Sequence, residues 1–206
     1  MKSPQKSPFK PALDHLHRYL SGYVHLSRTE FNSLLPYLEI REFDKKVQVV
    51  KLGEVENYIN IVAQGIVRKY LPLKKEEVTV QLATEGHIVH SELSFYNRAP
   101  SATVIGTIEP VILISISYDN LQLVYEHFPK AERLGRLLVS DLFIKKDFRY
   151  FNQIQRSTRE RFMDYVRTHP HMLQRVPQKY IASYLNIKPE TFSRLKHLLQ
   201  PARKAK

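Results

Sequence analysis

The sequence predicts an α+β protein: an N-terminal antiparallel β-roll or sandwich, a long helix, and a C-terminal helix-turn-helix. Three observations predict it. Short β-branched runs separated by turn residues fill Ile40 to Tyr118. After Asp119, large apolar residues recur at helical spacing. Between Pro177 and Leu195, two short amphipathic segments flank an asparagine at the point where the backbone must turn.

In chain order, residues 1–12 are rich in Lys and Pro and read as a disordered basic tail. Leu13–Leu20 and Arg28–Leu35 read as short helices, the second ended by Pro36. The strand candidates are Val47–Val50, Ile59–Val62, Ile66–Tyr70 and Val78–Leu82. Gly53, Gln64-Gly65, Lys74-Lys75 and Glu85-Gly86 mark the turns between them. A last strand pair runs from Ala102 to Tyr118 and turns near Glu109-Pro110. The roll is thus expected over residues 13–128.

A helix is expected over 129–155, because Leu134, Leu137, Leu138, Ile144, Phe148 and Phe151 fall three, four or seven apart. Such a stripe fits either a helix packed on its own sheet or a seam between two chains. Its length and its large apolar residues favour the seam, although Asp141 interrupts a strict heptad. Ser157 followed by Glu160 is a capping box for a further helix, which His169-Pro170 ends. The last unit is expected over 156–206.

Composition narrows the class. Hydrophobic residues make up 43% of the 206, enough for a globular core. The longest apolar run, Val111–Ile116, is far short of a membrane span and contains Ser115, and the N-terminus lacks the apolar segment of a secretory signal. A cytoplasmic chain that does not insert in membranes is expected. The absence of cysteine excludes disulfides, thiolate zinc sites, iron–sulfur clusters and cysteine nucleophiles. No triad, phosphate loop or paired acid site stands out, so an enzyme is not expected. His87, His90 and Glu92 are the nearest approach to a metal set, but on one strand His87 and His90 point to opposite faces. No metal or cofactor is expected.

Charge separates the two ends of the chain. From Leu137 to Lys206, 15 Lys and Arg stand against 5 Asp and Glu, whereas the first 136 residues carry 17 against 15. A basic region on a near-neutral remainder is the footprint of a polyanion binder.

That region holds the sharpest motif. Pro177 suits a helix start, and Ile181, Leu185, Ile187, Phe192 and Leu195 form the apolar set between two steeply crossing helices. Ala182 is small where they approach, and Asn186 is one of the few residues that tolerates a left-handed turn. Pro189 then opens the second helix, with Lys188 as its cap. That helix would present Glu190, Thr191, Ser193 and Arg194 outward. Arg can read guanine and Glu can accept from cytosine, while Thr191 and Ser193 suit phosphate. Lys179, Lys188 and Lys196 would add attraction independent of sequence.

This order of parts resembles the Crp/Fnr family of regulators over nearly the whole chain after residue 12. Ile61-Val62-Ala63-Gln64-Gly65-Ile66-Val67-Arg68 is similar to the family's strand-turn-strand around an obligatory glycine. Lys188–Arg194 is similar to its recognition helix, where Glu190 and Arg194 match base-reading residues. Val176–Arg194 resembles the Bacteroidetes-type members especially. The resemblance implies a cyclic-nucleotide-binding-like roll, a dimerisation helix and a DNA-binding domain. It implies a homodimer whose partners are double-stranded DNA, a small-molecule effector and RNA polymerase.

The departures matter as much. Pro189 stands where cyclic-AMP-binding members have an additional arginine, so the operator should differ. The β-hairpin wing is not evident after Leu199, and the basic stretch Pro201–Lys206 is expected to substitute for it in part. In cyclic-nucleotide binders a Gly-Glu pair holds the ribose and an Arg-Ser or Arg-Thr pair the cyclic phosphate. Here Glu92 matches the ribose ligand, but Ser91 replaces the glycine and Pro100 the phosphate arginine. Ser91, Glu92, Arg98, Ser101 and Ala102 are the candidate ligand residues. Without the phosphate arginine no cyclic-nucleotide binding is expected, because a desolvated anion must be paired. The rival reading is a small-molecule-binding or signalling interaction protein on a β-roll, with a helical domain that does not bind DNA.

Overall fold

The computed structural model describes residues 9–197; residues 1–8 and 198–206, which include the basic stretch at 201–206, lie outside it. The first helix, α1 (Lys10–Ser21), starts earlier than the sequence suggested, with Pro11 in its first turn. Residues 10–12 are therefore helical rather than part of a tail, because a proline there forfeits no helical hydrogen bond. Helix α2 (Arg28–Leu34) begins at a capping box: Glu30 N donates to Ser27 Oγ (3.2 Å) and Ser27 N to Glu30 Oε2 (2.8 Å). A 3₁₀ turn over Leu35–Tyr37, containing Pro36, ends it.

Eight strands follow: β1 (Leu38–Phe43), β2 (Gln48–Val50), β3 (Tyr58–Gln64), β4 (Val67–Pro72), β5 (Glu77–Ala83), β6 (Ile88–Val89), β7 (Val104–Thr107) and β8 (Val111–Ser117). Helix α3 (Glu92–Asn97) lies between β6 and β7. The strands form two four-stranded sheets, ordered β1-β8-β3-β6 and β2-β7-β4-β5, which make the β-roll.

Strand alternation builds two apolar layers. Val62 and Leu113 face the roll interior with Val50, Val67, Val89, Ile105 and Val111. Their neighbours Ile61 and Ile114 face outward, against Leu16, Leu26 and Phe31 of the helical layer. At the β3–β4 turn Gly65 has φ +92°, and a Cβ there would lie 2.3 Å from Pro110 O. Only glycine fits such a position.

After β8, α4 (Tyr118–His127) leads to α5 (Ala131–Gln155), one continuous helix of 25 residues. The chain then forms α6 (Thr158–Thr168), α7 (Met172–Arg175), α8 (Gln178–Tyr184) and α9 (Pro189–His197). The capping box at Ser157 and Glu160 starts α6. Pro177 is the N-cap of α8, one position before the first turn in which the sequence had put it.

The chain divides into two compact units. One comprises the residues up to Lys69 with Ala83–Leu142, and the other Tyr70–Leu82 with the residues from Phe143 onward. Two differences from the sequence boundaries follow. The tip of the β4–β5 hairpin belongs with the C-terminal unit, and α5 is divided between the units near its middle. Among the described residues no helix is long and apolar enough to cross a membrane.

Candidate nucleic-acid interface and sensor site

In the C-terminal unit, Phe162, Tyr165, Met172, Val176, Ile181, Ala182, Leu185, Ile187 and Phe192 are buried. Phe162 meets Phe192 edge-on at 5.1 Å and so ties α6 to α9. Between α8 and α9 the chain reverses at Asn186, which has φ +53°. Ile187 N donates back to Ala182 O (2.9 Å), and Phe192 N to Lys188 O (2.9 Å), which makes Lys188 the residue that opens α9. These are the packing and turn features of a helix-turn-helix.

Two arginines hold this turn in place, and sequence reasoning assigned neither. Arg161 Nε donates to Leu185 O (3.1 Å) and its NH2 to Asn186 O (3.2 Å) at the end of α8. Its NH1 donates to Arg156 O (2.6 Å) and Gln153 O (3.3 Å) at the end of α5. One guanidinium thereby satisfies carbonyls that two helix ends leave open. Arg149 donates to Val80 O in the β4–β5 hairpin and to Tyr184 O (3.1 Å), with its guanidinium 3.9 Å above the Tyr184 ring. Burial lowers the Arg149 pKa from its ordinary value, and Tyr184 and Tyr165 oppose that shift. Thr79 N donates to Ser183 Oγ (2.8 Å), a further bond between the hairpin and α8. Burial raises the pKa of the Tyr165 hydroxyl, which has no hydrogen-bond partner among the described residues.

Outside this core, Lys179, Lys188, Glu190, Ser193 and Arg194 are exposed, while Thr191 and Lys196 are half-buried. Ser193 and Arg194 lie three and four residues beyond Glu190 on α9, on the same side of the helix as Glu190. Arg194 NH2 donates to Thr191 Oγ1 (3.3 Å), so the guanidinium is already oriented along the helix. Lys179 Nζ lies 5.1 Å from the Tyr180 ring centre on α8.

The apolar stripe of α5 changes role along its length. In the first unit Ala131 and Leu134 are buried and Leu137 and Leu138 half-buried. Leu134 is therefore not available to a second chain, which corrects its sequence assignment: a stripe gives the direction of a face but not what covers it. In the second half Ile144 (65% exposed), Phe148 (63%) and Phe151 (50%) stay open to solvent. Val139, Phe143, Tyr150 and Ile154, which the sequence reading did not select, are exposed as well.

In the first unit, Ser91 and Ser101 come together inside the roll. Ser101 Oγ donates to Ser91 Oγ (2.8 Å), and Thr103 Oγ1 does the same (3.2 Å). Glu92 forms an ion pair with Lys69, whose Nζ also donates to His90 O (2.7 Å). Lys69 is buried, so a lysine of the chain already holds the carboxylate that matched a ribose ligand. Glu56, also buried, accepts from Tyr58 N (3.0 Å) and Ser91 N (3.4 Å). Burial raises its pKa, against those bonds and the charges of Arg41 and Lys69.

Arg98 does not join this group. It adopts a left-handed backbone at the end of α3. Its NH1 donates to Glu56 O (2.7 Å), and its guanidinium covers the Tyr118 ring at 4.4 Å. Ala102 is exposed and brings no polar side chain. Lys69 escaped sequence reading because a charged residue in a strand pattern normally marks the solvent face, and Glu56 because it lies in the loop before β3, where an acidic residue is ordinarily solvated. The available signal was Arg68-Lys69, two adjacent cations within an apolar run, both of which are buried. His87 Nδ1 is bonded to Thr84, and His90 packs edge-on to Phe95 and Tyr96.

No protein-family model matches the sequence, and none of the curated proteins matches it. Solved structures share its fold. The c-di-GMP responsive global regulator CLP of Xanthomonas campestris is 18% identical with a TM-score of 0.62, over 84% of this chain and 92% of that one. The catabolite activator protein of Thermus thermophilus is 20% identical with a TM-score of 0.52, over 88% and 86%. A cyclic nucleotide-binding domain from Methylobacillus flagellatus is 18% identical with a TM-score of 0.56, over 66% and 82%. At these identities the likeness establishes the fold: a cyclic-nucleotide-binding-like β-roll with C-terminal helices.

Proposed function

We propose that the chain is a homodimeric DNA-binding transcription regulator of the Crp/Fnr type whose roll does not bind cyclic nucleotides. The observation that carries this reading is the α8–Asn186–α9 turn, with Glu190, Ser193 and Arg194 exposed on one face of α9. In this reading α9 enters the major groove, Arg194 pairs with a guanine, and Glu190 accepts from a cytosine. Lys179, Lys188 and Lys196, together with Thr191 and Ser193, contact phosphate. Two copies join along the exposed half of α5, through Ile144, Phe148 and Phe151 with Phe143 and Ile154, and set half-sites about 10 base pairs apart or a multiple. The DNA-binding region begins near residue 156 and acts through RNA polymerase.

The Lys69–Glu92 ion pair and the engagement of Arg98 with Glu56 support an inactive cyclic-nucleotide site, since both cations are already held by groups of the chain. Titration with cyclic AMP or cyclic GMP should give no heat; micromolar binding of either would contradict this part. The main test selects binding sites from random duplexes, then compares Arg194→Ala and Lys179→Ala on the selected site and on random DNA. Arg194→Ala should cost roughly 1–3 kcal/mol on the selected site and much less on random DNA. Lys179→Ala should weaken both alike and reduce the salt dependence by about one phosphate contact. If neither variant changes binding, the helix-turn-helix is structural and the interaction-protein reading replaces this one.

A further inference from the structure

We infer that the sensor unit binds a neutral, largely apolar small molecule in a chamber outside the roll, between the outward face of the first sheet and helices α1, α2, α4 and α5. The chamber has a volume of about 220 Å³. Leu16 and Phe31 from the helical layer, Ile61 and Ile88 from the sheet, Val124 from α4 and Leu138 from α5 form its walls. Leu16, Phe31, Ile88 and Val124 are themselves buried, whereas Tyr96 (46% exposed) and Val139 (47%) also line it, so the chamber reaches into the core of one unit and opens in part to solvent.

Three properties define the ligand. The first is size. An apolar cavity of about 150 Å³ stays dry and takes benzene. This one is larger, and its walls are almost entirely hydrocarbon, so water has few partners there. It suits a body of two fused rings or a medium-length alkyl chain.

The second is charge. The charged side chains at its rim, Glu30 and Lys130, pair with each other at 2.6 Å. Lys130 Nζ also donates to His25 O (3.0 Å). Lys130 and the Ser27 cap hold the Glu30 carboxyl down at about 2, so the pair stays ionised and closed on itself. It offers no surplus charge to an ionic ligand, and an ion in the chamber would lose its hydration for nothing.

The third is a polar handle. Tyr125 and Tyr96 line the chamber. Burial raises the pKa of both hydroxyls, which stay protonated and can donate to one carbonyl or hydroxyl of the ligand. Tyr125 is fixed across Gly135, where a Cβ would lie 2.5 Å from its hydroxyl.

The chamber differs from the roll site, yet the segment Ile88–Ser91 touches both: Ile88 and the His90 ring line the chamber, while the His90 carbonyl is bonded to Lys69. Leu134, Leu138 and Leu142 make α5 one of its walls, so an occupant bears on the first half of that helix. The link from α5 to DNA rests on the regulator reading; the binding site does not.

The test uses the full chain without DNA, so it is independent of that reading. 1-Aminoanthracene should bind saturably, one per chain, with fluorescence enhancement. n-Octanol should compete at least tenfold better than octanoate or octylamine. Leu138→Trp, which fills the chamber, should weaken the probe at least tenfold while the far-UV circular dichroism is kept. If that variant does not fold, Val124→Phe takes its place in the same titration. Absence of saturable binding, or affinity unchanged by the filling substitution, would overturn the proposal. Octanoate or octylamine competing as well as octanol would overturn the neutral ligand. If the probe bound only after Ile144→Asp/Phe148→Asp separated the chains, the occupant would be a second copy instead.

Discussion

Arg161 is the side chain whose removal the C-terminal unit should register most clearly. Its guanidinium donates to the carbonyls of Gln153, Arg156, Leu185 and Asn186, so truncation leaves two helix ends without their donor. A hydrogen bond to a charged group contributes about 1.5–3 kcal/mol. Arg161 is half-buried, and water can reach part of what it leaves, so four such bonds should be discounted to about 3 kcal/mol in total. That is roughly a hundredfold in the folding equilibrium. Arg161→Met should show this loss in urea unfolding followed by far-UV circular dichroism. Arg161→Lys should recover only part of it, because an ammonium cannot span acceptors on two helices as the planar fork does.

The location of the loss is as informative as its size. Leu185, Asn186 and Ile187 donate their amides to Ile181, Ser183 and Ala182 within the turn. Hydrogen exchange at these three amides should accelerate by about the same hundredfold factor in Arg161→Met, while Val62 and Leu113 in the roll stay protected. Stability within about 0.5 kcal/mol of the native chain, or unchanged exchange at 185–187, would refute the idea that this guanidinium sets the turn.

Other substitutions address the remaining parts. Ile144→Asp with Phe148→Asp should convert a dimer to monomers in sedimentation at micromolar concentration; a native chain that is already monomeric there would remove the seam. Gly65→Ala should cost about 3 kcal/mol in thermal unfolding, from a left-handed backbone and a clash with Pro110 O. A cost below about 1 kcal/mol would mean that the turn relaxes easily. Glu56 gives a pH dependence. Because burial raises its folded pKa above the ordinary 4.5, the stability linked to its proton is present below 4.5 and lost as pH rises through the folded value. Glu56→Gln should therefore gain on the native chain between pH 4 and pH 8 in urea unfolding; a difference that stays flat or moves the other way would contradict the burial argument.

What the sequence revealed depended on how local the physics is. The turn at Asn186, the capping box at Ser157 and the apolar set of α8 and α9 are fixed by spacings of a few residues, and they were legible. The alternation of β3 and β8 was legible for the same reason. The α5 stripe was only partly legible: its first half packs within the chain's own first unit, apolar residues outside the stripe, such as Val139, Phe143 and Ile154, are exposed too, and a repeat contains no record of its partner. Charge was the least faithful guide. Arg149 and Arg161 add to the basic count after Leu137, yet both are spent on carbonyls of their own unit. Lys69 is spent on Glu92 in the same way. These bonds join residues that are distant in sequence, so no window along the chain could have suggested them. The grouping of the β4–β5 hairpin tip with the C-terminal unit was hidden for that reason too.

Gly135 sits inside α5, where an alanine would favour the helix by about 1 kcal/mol. A side chain there would meet Tyr125, whose hydroxyl lies 2.5 Å from where a Cβ would be. The two positions are therefore not independent in the evolution of this chain. A lineage that acquires a side chain at 135 must move or shorten the tyrosine at 125, and a lineage that has lost the tyrosine is released to place alanine at 135 and gain helix stability. Relatives of this protein should accordingly fall into two groups, Tyr with Gly or a small residue with Ala, with few sequences mixing them.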